Sequence, residues 1–229
     1  MAFGVRMKLT VGDIKIELAP LTKESVGDFI SSSADGGMQR LPINQYISRQ
    51  QAPTIEDEQD WYERVRAEKT SLVWGIWDVT GKEPVLIGNT SIFKIGDIGH
   101  APIFRQGETG CLIFRQEYWG KGIASTIHKA RTWYAFQHLG LHRLQSFVLE
   151  PNVGSRKALG GSGYYVTHTR RNEQYGNGKL IHLDALECLN PLEPFWSAWW
   201  HDDTPTEQSL EAQEATRAAM KWAEDNVTL

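Results

Sequence analysis

The stretch that decides the fold is residues 112–124, Leu-Ile-Phe-Arg-Gln-Glu-Tyr-Trp-Gly-Lys-Gly-Ile-Ala. The apolar residues at its start predict a short strand, Gly110–Phe114, and the pattern after the turn predicts a long helix, Gly120–Leu139, stopped by Gly140. The first amides of a helix lack intrahelical partners, and glycine lets a ligand approach the backbone closely. The junction therefore predicts a site for phosphate oxygens.

Two common phosphate-binding motifs do not fit this turn. The dinucleotide motif Gly-x-Gly-x-x-Gly needs a third glycine where Ser125 stands. The nucleotide-binding P-loop needs Gly-Lys followed by Ser or Thr, whereas Lys121 is followed by Gly122. An ordinary tight turn before a helix stays open as the alternative to a phosphate site.

A second informative segment follows a predicted strand, Leu144–Leu149. Residues 152–159 predict a short helix in which Asn152 is the N-cap and Ser155 lies in the first turn. A glycine-rich cluster ends this helix and leads into the pair Gly163-Tyr164. The Ser155 hydroxyl is either a second capping group or a group with a chemical role.

Together the two segments resemble the GNAT superfamily of N-acetyltransferases. Its acyl-CoA motif, Gln/Arg-x-x-Gly-x-Gly/Ala at the start of a long helix, matches Glu117 to Gly122. The branch most similar to the chain is that of the ribosomal-protein-alanine N-acetyltransferases. Its members carry Tyr-Trp-Gly-Lys-Gly, here residues 118–122, and Asn-x-x-Ser-Arg, here residues 152–156, before a Gly-aromatic pair.

The resemblance implies an α+β GNAT-like fold: a central mixed, mostly antiparallel twisted sheet of about seven strands flanked by helices, with an extra C-terminal helix. We expect residues 1–189 to form the acetyltransferase domain. Residues 190–229 are expected to form an appendage, an aromatic linker followed by an acidic helix that starts at Thr204-Pro205-Thr206-Glu207. This segment carries eight acidic and two basic residues.

The resemblance also implies acetyl-CoA as cosubstrate and direct attack of a primary amine on its thioester in a ternary complex. A backbone N–H of the strand would stabilise the oxyanion, and Ser155 would return a proton to the departing thiolate. Arg156 is either a surface residue or a contact to the 3′-phosphate, and Trp119 either shields the turn or packs in the core. The expected cofactor-binding residues are Leu112, Ile113, Phe114, Glu117, Tyr118, Trp119, Gly120, Lys121, Gly122, Ile123, Ala124, Asn152, Ser155 and Arg156.

The chain departs from the family at three positions: Glu117 replaces Gln or Arg, Leu159 replaces a common tyrosine, and Thr167 replaces a glutamate proposed as the base in some branch members. The general base is therefore open. Glu108, placed just before the cofactor strand, and His168 are the candidates, along with an ordered water.

Two further histidine expectations follow from strand alternation. His168 should point away from Thr167, since neighbouring strand residues face opposite sides. His182 should form a structural pair with Asp184, two positions along the same strand, and for that reason it is a weaker candidate for the base.

Composition limits the other function classes. No run of 18 apolar residues predicts a membrane span, and a net charge of −4 argues against a nucleic-acid binder. Two cysteines outside any metal or redox spacing predict no metal site and a reducing, cytoplasmic location. We expect a monomer or homodimer that acts on a small amine (an amino acid, an antibiotic or an aminoacyl conjugate) or on a protein N-terminus. The alternative is a catalytically weak acyl-CoA-binding sensor or interaction module.

Overall fold

The computed structural model describes residues 3–31, 37–39, 41–46, 52–99, 101–176 and 178–229. Within these ranges the helices are α1 (Asp28–Ser31), α2 (Leu41–Asn44), α3 (Ile55–Ala67), α4 (Ile123–Trp133), α5 (Val153–Gly160), α6 (Phe195–Trp200) and α7 (Glu207–Asn226). The strands are β1 (Met7–Val11), β2 (Ile14–Ala19), β3 (Leu72–Asp78), β4 (Val85–Ile98), β5 (Ala101–Ile113), β6 (Arg143–Leu149), β7 (Tyr165–Gly176) and β8 (Lys179–Leu189).

The described strands form one sheet in the order β1-β2-β3-β4-β5-β6-β8-β7. Strands β5 and β6 run parallel, while β1–β2, β2–β3, β3–β4, β6–β8 and β7–β8 are antiparallel. The prediction of a mixed, mostly antiparallel sheet is confirmed, with eight described strands in place of about seven. The additional strand is β1, whose apolar residues Met7 and Leu9 are buried beside exposed Lys8 and Thr10.

The chain packs as two compact units, and β4 and β5 contribute to both. The first unit comprises Met1–Phe93, Gly110–Ile123 and Val227–Leu229. A cluster of buried apolar side chains forms its core: Leu21, Val26, Phe29, Met38, Ile43, Val73, Leu86 and Phe114. Helix α3 packs beside this core. The sequence predicts its start, since Thr54 can cap a helix and Asp57 follows three residues later, and the two residues do form a reciprocal capping box. The sequence also predicts a helix over Thr22–Ser33. Its described part, residues 22–31, holds a 3₁₀ turn, Ser25–Gly27, that leads into α1, and residues 32–33 lie outside the described ones.

The second unit comprises Lys94–Thr109 and Ala124–Asn226. Helix α4 continues into a π-helical turn, Tyr134–His138, and the chain then turns at Gly140, whose φ is +61°. The predicted end of the helix Gly120–Leu139 at Gly140 is therefore confirmed to within one residue, although its last turn is π-helical, whereas the predicted start was wrong. At the start, Gly120 and Gly122 have φ values of +73° and +82°, which a right-handed helix cannot contain.

Residues 190–226 of the C-terminal segment pack within the second unit. The ring of Phe195 lies edge-on against His142, with 4.7 Å between the centroids, and the Arg143 guanidinium lies 5.1 Å from the Trp199 ring centroid. Helix α7 begins at Glu207, two residues later than the predicted first helical position at Pro205, because the Thr206 hydroxyl oxygen is the group that caps it by accepting the Ser209 amide.

Strand β7 lies at an edge of the sheet and is interrupted twice. The register with β8 shifts between Val166 and His168, and again between Arg170 and Gln174. At each shift a bulge places residues of β7 outside the regular register with β8. Most side chains along this strand are exposed.

Two further features of the described ranges concern membranes and metals. No described helix combines the length and apolar character needed to cross a bilayer. In the same ranges, no group of three His, Cys, Asp or Glu side chains is placed to hold a metal ion.

Candidate functional site

The predicted site residues divide between the two units. The strand end and turn, residues 112–123, belong to the first unit. The second unit holds Ala124, the α5 residues, Glu108 and His168.

The turn itself is built from a 3₁₀ segment, Gln116–Tyr118, and two left-handed glycines. The amide of Tyr118 donates to the Arg115 carbonyl at 3.1 Å, and that of Trp119 donates to the Gln116 carbonyl at 2.9 Å. Gly120 and Gly122 then reverse the backbone so that α4 begins at Ile123. The reversal needs glycine, because residues with a Cβ rarely adopt such φ values.

Several amides after this point are unused. Within the described part of the chain, the amides of Gly120 and Lys121 make no backbone hydrogen bond. Those of Ile123 and Ala124 lie in the first turn of α4, where no intrahelical acceptor exists. No atom lies within 4 Å of a Cβ built on Gly120, so the backbone there is open to a ligand. Unused amides at a helix start, with the helix dipole behind them, suit phosphate oxygens.

Side chains of the turn lie mostly at the surface. Glu117 is exposed and its carboxylate is 3.5 Å from the Arg115 guanidinium. The indole N–H of Trp119 donates to the Ile113 carbonyl at 2.8 Å, and 41% of this residue is exposed. This exposure argues against core packing of Trp119, and its role in shielding the turn stays a prediction.

The strand that precedes the turn is longer than predicted, since β5 starts at Ala101 rather than at Gly110. Its pairing with β6 covers only Gln106 to Glu108. The amide of Phe114 donates to the Ile87 carbonyl at 3.1 Å, and the Phe114 side chain is buried in the core. The Phe114 amide is therefore already used, and an oxyanion donor at Leu112 or Ile113 stays a prediction.

The start of α5 agrees with the predicted cap. The side-chain oxygen of Asn152 accepts the Ser155 amide at 3.1 Å. The Ser155 hydroxyl is half-buried and makes no hydrogen bond to the described residues. Because Asn152 caps the helix, the structure leaves the Ser155 hydroxyl free for a chemical role.

Arg156 braces this helix. One of its guanidinium nitrogens lies 3.2 Å from a carboxylate oxygen of Asp184 on β8, and 26% of the side chain is exposed. The other carboxylate oxygen of Asp184 accepts the Thr169 hydroxyl at 2.8 Å. Arg156 is thus neither a free surface residue nor an unpaired cation, and the ion pair fixes the first turn of α5 against β8.

The candidate bases lie in different surroundings from those expected. Glu108 is inside β5, not before it, and its carboxylate accepts the Lys94 ammonium at 2.8 Å. His168 and Thr167 do not face opposite sides: the bulge at Thr167 breaks the alternation, and the Thr167 hydroxyl lies 3.1 Å from Nδ1 of His168.

His182 does not pair with Asp184. Its Nδ1 accepts the Asn172 amide at 3.1 Å, because the second bulge of β7 turns that amide toward it. The Asp184 carboxylate is instead shared by Arg156 and Thr169.

One contact of the turn has no local signal in the sequence. The Tyr118 hydroxyl donates to a carboxylate oxygen of Asp78 at 2.8 Å. Asp78 is the last residue of β3, 40 positions earlier in the chain. Only the pairing of the strands brings these two side chains together.

Comparison with known proteins leads to the same family as the sequence motifs. The sequence model of the acetyltransferase (GNAT) domain family matches residues 15–165. The chain is 31% identical over 114 residues to the probable N-acetyltransferase YjcK of Bacillus subtilis (strain 168). That match covers 49% of this chain and 59% of YjcK, so the chain spans about three-fifths of the length of this curated relative.

Solved structures agree at the level of the fold. A spermidine N-acetyltransferase from Vibrio cholerae, in complex with CoA and spermine, has a TM-score of 0.64 at 19% identity and covers 76% of this chain and 95% of its own. A GNAT-family acetyltransferase from Bacillus anthracis has a TM-score of 0.58 at 18% identity, with 82% and 100% covered. Since the family match extends over more than half of the residues, the chain belongs to the acetyltransferase (GNAT) domain family.

Proposed function

We propose that the chain is an acetyl-CoA-dependent N-acetyltransferase that transfers an acetyl group to a primary amine by direct attack in a ternary complex. The observation that carries the proposal is the turn at Gly120–Gly122, with unused amides at the start of α4. Family membership supports it, because the cosubstrate of an acetyltransferase of this family carries phosphates that such amides can bind.

In the proposed reaction the protein stabilises the oxyanion, removes a proton from the amine and supplies a proton to the thiolate. A neutral amine attacks the thioester carbonyl, and an amide of Leu112 or Ile113 donates to the oxyanion that forms. The C–S bond then breaks, and the amine nitrogen passes its proton to the base or to an ordered water. The thiolate takes up a proton through the Ser155 hydroxyl, which receives one from water in exchange, so that Ser155 acts as a relay and ends neutral. The products are an N-acetylated amine and free coenzyme A.

Proton removal from the amine sets a requirement on the acceptor. A lysine-like amine has a pKa of about 10.4 and an α-amine one of about 8, so the α-amine is easier to neutralise near pH 7. Glu108, His168 or an ordered water remain the proposed bases. The pair between Glu108 and Lys94 keeps a carboxylate acceptor in place on β5.

The acceptor class is proposed as either a small-molecule amine or a protein N-terminus. The Vibrio cholerae neighbour is described in complex with spermine, which adds polyamines to the small amines to be tested. A steady-state panel of amino acids, aminoglycosides, polyamines and N-terminal peptides, followed by thiol release from acetyl-CoA, tests the proposal. Turnover with at least one amine supports it. Binding of coenzyme A without turnover on any amine would favour the sensor alternative.

Ser155→Ala is expected to lower kcat about 100-fold and to leave KM for acetyl-CoA within about twofold, as loss of a proton donor does. We expect an effect on kcat and not on KM because the Ser155 hydroxyl is not used in the cap that Asn152 forms. Ser155→Thr keeps a hydroxyl and is expected to recover most of the rate. Steady-state kinetics of both variants measure this, and a raised KM with intact kcat would reassign Ser155 to cofactor binding.

A further inference from the structure

The inference concerns how the turn at Gly120–Gly122 is held, and it rests on the proposed function. Tyr118 precedes the two left-handed glycines, and its hydroxyl donates to the Asp78 carboxylate at 2.8 Å. Asp78 ends β3 and is paired there with Ile16 of β2 and Val85 of β4. The turn is therefore tied by one side chain to a rigid part of the sheet.

The Asp78 carboxylate is itself fixed in orientation. Its second oxygen accepts the Thr80 amide at 2.9 Å, in the loop that follows β3. A carboxylate with both oxygens bonded has little rotational freedom, so it defines the position of the Tyr118 ring. Tyr118 in turn defines where the chain enters Trp119 and Gly120.

The protonation states favour this direction of donation. Burial, and next the hydrogen bond to Asp78, raise the pKa of Tyr118 to about 12, so the phenol keeps its proton at neutral pH. Burial alone would raise the pKa of Asp78, but the hydrogen bonds from Thr80 and Tyr118 outweigh it and lower that pKa. The pair is a phenol donating to a carboxylate throughout the neutral range.

The Tyr118 ring also contacts the cation of the turn. The ammonium of Lys121 lies 5.4 Å from the ring centroid, over its face. Cation–π attraction holds an ammonium in such a position. The same ring thus locates the backbone of the turn and the positive charge that stands between its two glycines.

We infer that Asp78 and Tyr118 are positioning residues for cosubstrate binding: they hold the amides of Gly120 and Lys121, and the Lys121 ammonium, in the arrangement that the phosphates of acetyl-CoA require. Neither side chain needs to touch the reacting atoms. Their contribution is to order the turn before the cosubstrate arrives, so that binding does not have to order it.

Tyr118→Phe tests the inference with the smallest change. It removes the hydroxyl and keeps the ring under Lys121. We expect the Kd of coenzyme A and the KM for acetyl-CoA to rise about tenfold, with kcat within about twofold, because preorganisation affects binding. Asp78→Asn is expected to weaken coenzyme A binding as well. The double variant should bind coenzyme A as well as the weaker-binding single variant does, since the two substitutions remove the same interaction.

Tyr165→Phe is the matched control. Its hydroxyl donates to the Glu187 carboxylate at 2.6 Å. This hydrogen bond is also half-buried, but it lies in the second unit and outside the turn. We expect its affinity for coenzyme A to equal that of the wild type. Calorimetry with coenzyme A, steady-state kinetics and thermal melting are measured on all four variants.

The outcomes separate the inference from the proposed function. Wild-type protein that does not bind coenzyme A would overturn both. Wild-type binding with unchanged affinity in Tyr118→Phe would overturn the inference alone, as would an equal loss in Tyr165→Phe or additive losses in the double variant. If Asp78→Asn does not fold, Tyr118→Phe and its control still decide the question.

Discussion

Gly120→Val is expected to raise the Kd of coenzyme A by at least about 100-fold, equivalent to about 2.7 kcal/mol, while the chain stays folded. Gly120 has a φ of +73°, which a β-branched residue adopts only at a cost. The backbone would rotate to relieve that strain and turn the free amides of Gly120 and Lys121 away from a bound phosphate. Isothermal calorimetry with coenzyme A measures the loss, and thermal melting verifies the fold.

Gly140→Val is the matched control for this prediction. Its φ is +61°, and, as at Gly120, no atom lies within 4 Å of a Cβ built there. The two variants therefore suffer comparable backbone strain without a clash, but Gly140 follows the π-helical turn and not the site. Equal loss of affinity in both, or undiminished affinity in Gly120→Val, would contradict a phosphate-binding role for the turn.

Gly163→Ala is expected to lower the free energy of unfolding by about 3 kcal/mol or more. A Cβ at this position would overlap the hydroxyl oxygen of Thr216 on α7 and lie 2.6 Å from the Ala212 carbonyl oxygen. The Ala212 carbonyl belongs to the helix backbone and cannot yield without moving α7. Urea unfolding measures the change.

Two companion variants separate the causes of that loss. Gly178→Ala has a similar φ of +77° with no atom within 4 Å, so it reports backbone strain alone, about 1 kcal/mol. Thr216→Ala in the Gly163→Ala background removes the nearest clashing atom and should restore part of the stability. The steric explanation fails if Gly163→Ala and Gly178→Ala cost the same.

Local sequence signals predicted several elements well. The Thr54–Asp57 capping box and the Asn152 cap each depend on side chains three residues apart, so the information is contained in a short window. The glycines at 120 and 122 likewise marked the turn, although their left-handed conformations delay the start of α4 to Ile123.

The features that the sequence did not predict depend on contacts between residues that are distant in the chain. The first part of β5, residues 101–109, includes Pro102 and Gly107, which weaken any strand pattern, and it is held by its neighbours in the sheet. The bulge at Thr167 cannot be recognised either, because an extra strand residue looks like any other in the sequence. The contact between Tyr118 and Asp78 joins positions 40 residues apart.

The interrupted edge strand β7 has a consequence for the behaviour of the protein at high concentration. A straight strand with open amides and carbonyls recruits the strand of another molecule, and repeated addition leads to aggregates. The bulges at Thr167 and between Arg170 and Gln174 break the regular spacing that such recruitment needs. A long exposed strand that also carries Arg170 and Arg171 can thus remain at the surface without acting as a template for intermolecular β-sheet growth.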